Sequence, residues 1–162
     1  MRASGLLAFL AGLSILLTSC GPDVDLSKGL QVDMVRTGWL DAGLVGAGQN
    51  KLVPSVSFKL KNASSQKLTA LQVNALFRRV SEKDEWGSGF VTAAGSAGLP
   101  PGGSSELLTI NSQLGYTGSE PRHAMLQNSQ FVDAKVDLFA KYGSTQWTKV
   151  GEYPIARQLL EH

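Results

Sequence analysis

The sequence has one cysteine, Cys20, and only two histidines among its 162 residues. A single cysteine cannot close a disulfide within the chain, so core packing and strand pairing must hold the fold. It also excludes a zinc centre built on several thiolates. A surplus charge of one sign is missing too: 15 basic residues stand against 13 acidic ones. No strongly basic face is implied, and nucleic acid is not an expected partner. The apolar run from Leu6 to Leu17 is shorter than the ~20 residues that span a bilayer as a helix. Helical periodicity is poor along the rest of the chain.

Motifs that carry chemistry are equally scarce. There is no Gly-x-Ser-x-Gly, and Gly87-Ser88-Gly89 is a fragment without a partner motif. The glycine-rich stretches at 43–48 and 95–103 lack the Lys-Ser/Thr ending of a phosphate loop. Asp23, Asp25, Glu82, Asp84 and Glu85 are scattered or sequential and do not follow a calcium-loop pattern, so no metal site is expected. Nothing in the sequence singles out a pair of carboxylates for glycosidase chemistry. His123 sits in Glu120-Pro121-Arg122-His123 and reads as a surface loop residue, and His162 ends the chain. The expectation is a chain without enzymatic activity and without a cofactor.

What is present begins at the amino terminus. Arg2 supplies a short positive region, the run from Leu6 to Leu17 has the length of a signal-peptide core, and Leu17-Thr18-Ser19-Cys20 follows. This exit resembles the lipobox of bacterial lipoproteins. The resemblance implies that Cys20 Sγ is joined by a thioether to diacylglycerol. The leader is then cut before Cys20, and the freed amine is open to acylation. Two or three acyl chains hold a protein firmly, whereas one alone binds marginally. Gly21 follows Cys20, where an Asp commonly marks inner-membrane retention. The resemblance therefore implies the cell envelope, at the outer membrane facing the periplasm. The chain divides into a signal peptide over 1–19, a lipidated polar tether over 20–28 and a folded domain over 29–160.

Within that domain, apolar and polar residues alternate with period two. Leu30, Val32 and Met34 form one such set, and Val56, Phe58 and Leu60 a second. Leu71, Val73, Ala75 and Phe77 form a third, and Val132, Ala134, Val136, Leu138 and Ala140 a fourth. Successive strand residues point to opposite faces, so each set defines one buried face. Further strands are expected over 87–92, 105–110 and 146–154, a short helix near 123–128, and a terminal turn over 156–161. Asn62-Ala63-Ser64-Ser65, Leu99-Pro100-Pro101-Gly102-Gly103 and Lys141-Tyr142-Gly143-Ser144 carry turn chemistry. About seven short strands predict an all-β, antiparallel two-sheet sandwich, immunoglobulin-like or fibronectin-III-like, with a small β-barrel as the alternative. The stretch from Val53 to Val80 is a strand, an Asn-Ala-Ser-Ser turn and a strand ending in Leu76-Phe77-Arg78. It resembles the exported sandwich domains of the FxLYD type, which supports the same fold.

Candidate binding residues are aromatic. Residues 111–130 form a long connection between strands, of the kind that is often functional. It contains Leu114-Gly115-Tyr116-Thr117-Gly118, where flanking glycines present Tyr116 outward or the segment crosses between the sheets. Trp39 is expected in the core at the end of the first strand, or else on a recognition surface. Trp86 and Trp147 read as strand core, with Trp86 partly exposed after Glu82–Glu85. The leading expectation is a non-enzymatic, lipid-anchored protein-binding or structural accessory module. Its partners would be the membrane, through Cys20, and another envelope protein docked on a strand edge or on residues 111–130. The alternative is a periplasmic carrier of a lipid or another small apolar ligand held between the layers.

Overall fold

A computed structural model of the chain describes residues 22–161. The expected leader, Cys20 and His162 lie outside these residues. The elements in order are α1 (Leu26–Gly29), β1 (Leu30–Val45), β2 (Gln49–Asn62), β3 (Leu71–Arg79), β4 (Gly87–Ala94), β5 (Leu108–Asn111), β6 (Tyr116–Gly118), α2 (Arg122–Gln127), β7 (Ala134–Lys141), β8 (Thr148–Pro154) and β9 (Leu159–Leu160). One sheet runs β5-β2-β1-β9, with β6 also pairing β2, and the other runs β4-β3-β7-β8. The chain changes sheet between β2 and β3, between β4 and β5, between β6 and β7, and again between β8 and β9. This alternation is the strand order of immunoglobulin-type and fibronectin-type sandwiches. Among the described residues no strand pairing closes the two sheets into one, so the barrel alternative does not hold. Seven longer strands make the sandwich; β6 and β9 are short additions.

The period-two sets build the core. Val56, Phe58 and Leu60 of β2 face Leu71, Val73, Ala75 and Phe77 of β3 and Val136, Leu138 and Ala140 of β7, all fully buried. The first strand departs from its pattern. Met34 is 71% exposed with a φ of 53°, at a bulge between Asp33 and Arg36. The extra residue moves the next side chains to the opposite face. Val35 therefore packs against the core in place of Met34. Because β1 continues to Val45, Trp39 lies mid-strand, opposite Pro54, and not at a strand end. The strand expected over 105–110 starts at Leu108, and the helix near 123–128 is α2. The expected terminal turn is instead β9, which pairs in parallel with Trp39 and Leu40, so that sheet is not purely antiparallel.

The stretch expected as a polar tether is folded from Pro22 onward. Val24 packs against the core, and its backbone N–H donates to Tyr142 Oη at 2.6 Å. Leu26 is buried to 1% exposure. Gln66 Nε2 donates to the Pro22 carbonyl at 2.8 Å. A side chain at Gly29 would meet Val24 Cγ1 at 2.6 Å, so the close approach of this arm needs glycine there. The alternation of Val24 and Leu26 with aspartates was masked by the neighbouring Gly and Pro.

The sandwich therefore has two ends. The arm end gathers the arm, the β2–β3 turn, the β4–β5 connection and the β7–β8 turn. The distal end carries the β1–β2 hairpin, the β3–β4 turn and the passage from β6 through α2 to β7. Among the described residues no helix is long and apolar enough to cross a membrane.

Candidate functional site

The residues singled out in three separate parts of the sequence meet in the distal half. Trp39 of β1 comes within 6.3 Å of Trp86 and 5.6 Å of Tyr116, measured between ring centroids. Trp86 and Tyr116 are 5.0 Å apart. A fourth ring, Phe131, lies 4.7 Å from Trp39 and 4.5 Å from Tyr116. Tilted and edge-on rings at such separations each add about 0.5–1.5 kcal/mol beyond the area they bury. Together they fill the space between the sheets.

The backbone explains the convergence. The β6 strand is held on β2 by pairing of Tyr116 with Leu52 and of Thr117 with Lys51. A Cβ at Gly115 would sit 1.9 Å from the Leu52 carbonyl oxygen, so this glycine permits the approach of β6 to β2 and does not swing Tyr116 outward. Tyr116 is half-buried and donates to the Val132 carbonyl at 3.0 Å. Burial raises its hydroxyl pKa, against the opposing pull of Arg79. Residues 111–130 are thus a crossover with structure of its own.

Trp39 is fully buried, and its Nε1 has no hydrogen-bond acceptor among the described residues. Any molecule that meets this cluster reaches it through Tyr116 and Trp86, which are half-buried. Two cations flank the rings: the Arg79 guanidinium lies 4.9 Å from the Trp86 ring centroid and that of Arg157 5.2 Å from Phe131. Arg157 also pairs with Asp133 at 2.6 Å and donates to the carbonyls of Leu126 and Phe131. It clamps the last segment of the chain to the α2–β7 connection.

Outside the rings lies an open recess of about 360 Å³, floored by Tyr116, Met125 and Phe131 and rimmed by Ser119, Glu120, Asn128 and Gln130. Met125 and Phe131 were not anticipated as site residues. Phe131 precedes the alternation that begins at Val132, and Met125 belongs to a helix too short to show a periodic face.

A second recess, of about 530 Å³, is lined by His123, Leu126, Gln127, Arg157, Gln158 and Leu159. His123 is exposed on α2, with no serine or carboxylate among the lining side chains. Among the described residues no three His, Cys, Asp or Glu side chains are grouped to hold a metal ion.

Trp147 departs from the core expectation. It is 40% exposed and lies edge-on to Phe90, itself 57% exposed, at 6.4 Å, with the Lys141 ammonium 5.1 Å from its ring centroid. It precedes the first residue of β8, Thr148, so strand alternation does not set its direction.

No family model matches this chain, and no curated protein matches it. Among solved structures, the X-ray structure of Northeast Structural Genomics Consortium target SoR45 is similar at 14% sequence identity. The match covers 81% of this chain and 89% of that chain, with a TM-score of 0.46.

Proposed function

We propose that the protein is a lipid-anchored component of the bacterial cell envelope, held through Cys20. Its sandwich acts as a non-enzymatic module that docks another envelope protein. The observation that carries the docking half is the recess over Tyr116, Met125 and Phe131. It combines an apolar floor with a polar rim and half-buried aromatic rings, the composition that favours anchor side chains of a protein partner. A carrier would need an enclosed apolar cavity between its layers, and that space is occupied by Trp39, Tyr116 and Phe131. The anchor half rests on the Leu17-Thr18-Ser19-Cys20 exit.

Two measurements test the two halves separately. The mature chain should carry diacylglycerol on Cys20 by mass spectrometry, and Cys20→Ser should leave the chain unlipidated with its leader uncut. A photo-crosslinking residue at Ser119, on the recess rim, should give one discrete adduct in intact cells. That adduct should disappear when Gln130→Trp fills the recess. Adducts that are absent, or indifferent to Gln130→Trp, would sink the docking half, and an unmodified Cys20 would sink the anchor half.

A further inference from the structure

The distance from the lipidated cysteine to the folded domain decides how the domain stands on the membrane. This step rests on the reading of Cys20 as the anchor. One residue, Gly21, separates Cys20 from Pro22. Two Cα–Cα steps span at most about 7.6 Å. Pro22 is tied to the β2–β3 turn by Gln66, and Val24 to the β7–β8 turn by Tyr142. The arm therefore leaves no free length in which the domain can turn over.

The loops around it are tied to one another as well. Ala63 N donates to the Gly29 carbonyl, Leu68 and Leu99 exchange backbone hydrogen bonds, and Gly143 N donates to the Thr69 carbonyl. At their centre Asn62 is fully buried. Its Nδ2 donates to the carbonyls of Gln66 and Leu99, and its Oδ1 accepts from Ser64 N and Oγ. This end is a closed platform, not a set of independent loops.

Its charge is nearly balanced. The arm carries Asp23, Asp25 and Lys28, the β2–β3 turn Lys67 and the β4–β5 connection Glu106. An anionic leaflet repels a surplus of acidic residues near its surface. At the other end, the segment from Val80 to Trp86 holds Glu82, Asp84 and Glu85 against Lys83.

We propose that the arm end is seated on the phospholipid headgroup surface, with the distal end and its aromatic recess held away from the membrane. The long axis follows β1, whose 16 residues at ~3.3 Å each span roughly 50 Å. The recess over Tyr116 and Phe131 is then presented into the aqueous space at a fixed height.

The test uses the full mature lipoprotein in vesicles of phosphatidylethanolamine and phosphatidylglycerol. Lipidation consumes the chain's one native thiol, so Ser144→Cys at the arm end and Ala47→Cys at the distal end can each be labelled singly with a fluorophore. Headgroup spin-labelled lipid should quench the label at 144 several-fold more than the label at 47. A flexible Gly/Ser insert of about ten residues before Pro22, with an r.m.s. span of about 17 Å, should reduce that contrast. Equal or reversed quenching on protein whose lipid is verified by mass would overturn the orientation alone. A contrast untouched by the insert would overturn the role of the short arm. A free thiol at Cys20 would overturn the anchor reading beneath both.

Discussion

The two ends of this sandwich are closed by different chemistry. At the arm end a buried amide, Asn62, joins two connections through four hydrogen bonds to Gln66, Leu99 and Ser64. At the distal half four rings, Trp39, Trp86, Tyr116 and Phe131, fill the interior. The first solution satisfies backbone groups that turns bring out of the sheet ladder, and it fixes loop geometry because hydrogen bonds are directional. The second fills volume and leaves ring edges at the surface, where a partner can meet them. A rigid polar platform thus stands opposite an aromatic recess. Under the proposed anchoring, the platform meets lipid and the recess meets protein.

This contrast can be broken by mutation, beginning where the effect is largest. Trp39→Ala should cost about 3–5 kcal/mol, the range for truncating a buried large aromatic, read from the urea midpoint. Amides of β6 should lose exchange protection before those around Asn62; a cost below about 1 kcal/mol would remove the rings from their supporting role. Asn62→Ala leaves the Gln66 and Leu99 carbonyls and the Ser64 amide short of partners, at a cost of about 2–3 kcal/mol. Asn62→Asp should do nearly as badly, because it cannot donate. Exchange should rise first over 63–70 and 95–104, the reverse of the Trp39 pattern.

Asp137 lies between the ends, on the outer face of the second sheet, and tests whether charge matters as well. Burial raises the pKa of its carboxyl, but the ion pair with Lys149 and the hydrogen bond from Arg78 outweigh this, and the net displacement is below the ordinary value. A depressed folded-state pKa means that its stabilisation is present above the ordinary carboxylate range. It is lost as pH falls through the depressed value. Urea midpoints should therefore fall in acid, and Asp137→Asn should remove that part of the pH dependence while costing about 2 kcal/mol at neutral pH. The smallest effect is expected at the exposed pair: Phe90→Ser and Trp147→Ser should each change stability by less than about 0.5 kcal/mol. A larger loss at Trp147 would show that its contact with Lys141 and Phe90 supports the sheet.

Much of the fold was legible residue by residue. Leu71, Val73, Ala75 and Phe77 announce a half-buried strand because a two-residue period suits nothing else, and all four are fully buried. The Asn62-Ala63-Ser64 turn was legible because Asn and Ser side chains bond their neighbouring backbone. The bulge at Met34 was not, because Met34 continues the apolar alternation and only pairing with β2 inserts the extra residue. The arm was not legible because its alternation, Val24 and Leu26 with Asp23 and Asp25, is only two apolar residues long and follows Gly21-Pro22. Trp39, Trp86 and Tyr116 were legible individually as candidates. Their meeting was not, since it depends on β6 crossing onto β2 and on the β3–β4 turn returning to the same end. Arg157 carried no signal at all: its role comes from carbonyls that α2 and residue 131 place around it.

By itself the sequence determined the strand period, the two-layer fold without a disulfide, the turn chemistry at Asn62 and the cysteine at the end of a short apolar run. These are local properties, set by which side chains alternate and which groups lie within a few residues of one another. Tertiary structure decided the register around the bulge, the docking of residues 22–29 and the assembly of one aromatic cluster from four distant segments. Each of these depends on contacts between residues far apart in the chain, whose geometry exists only once the two sheets have packed.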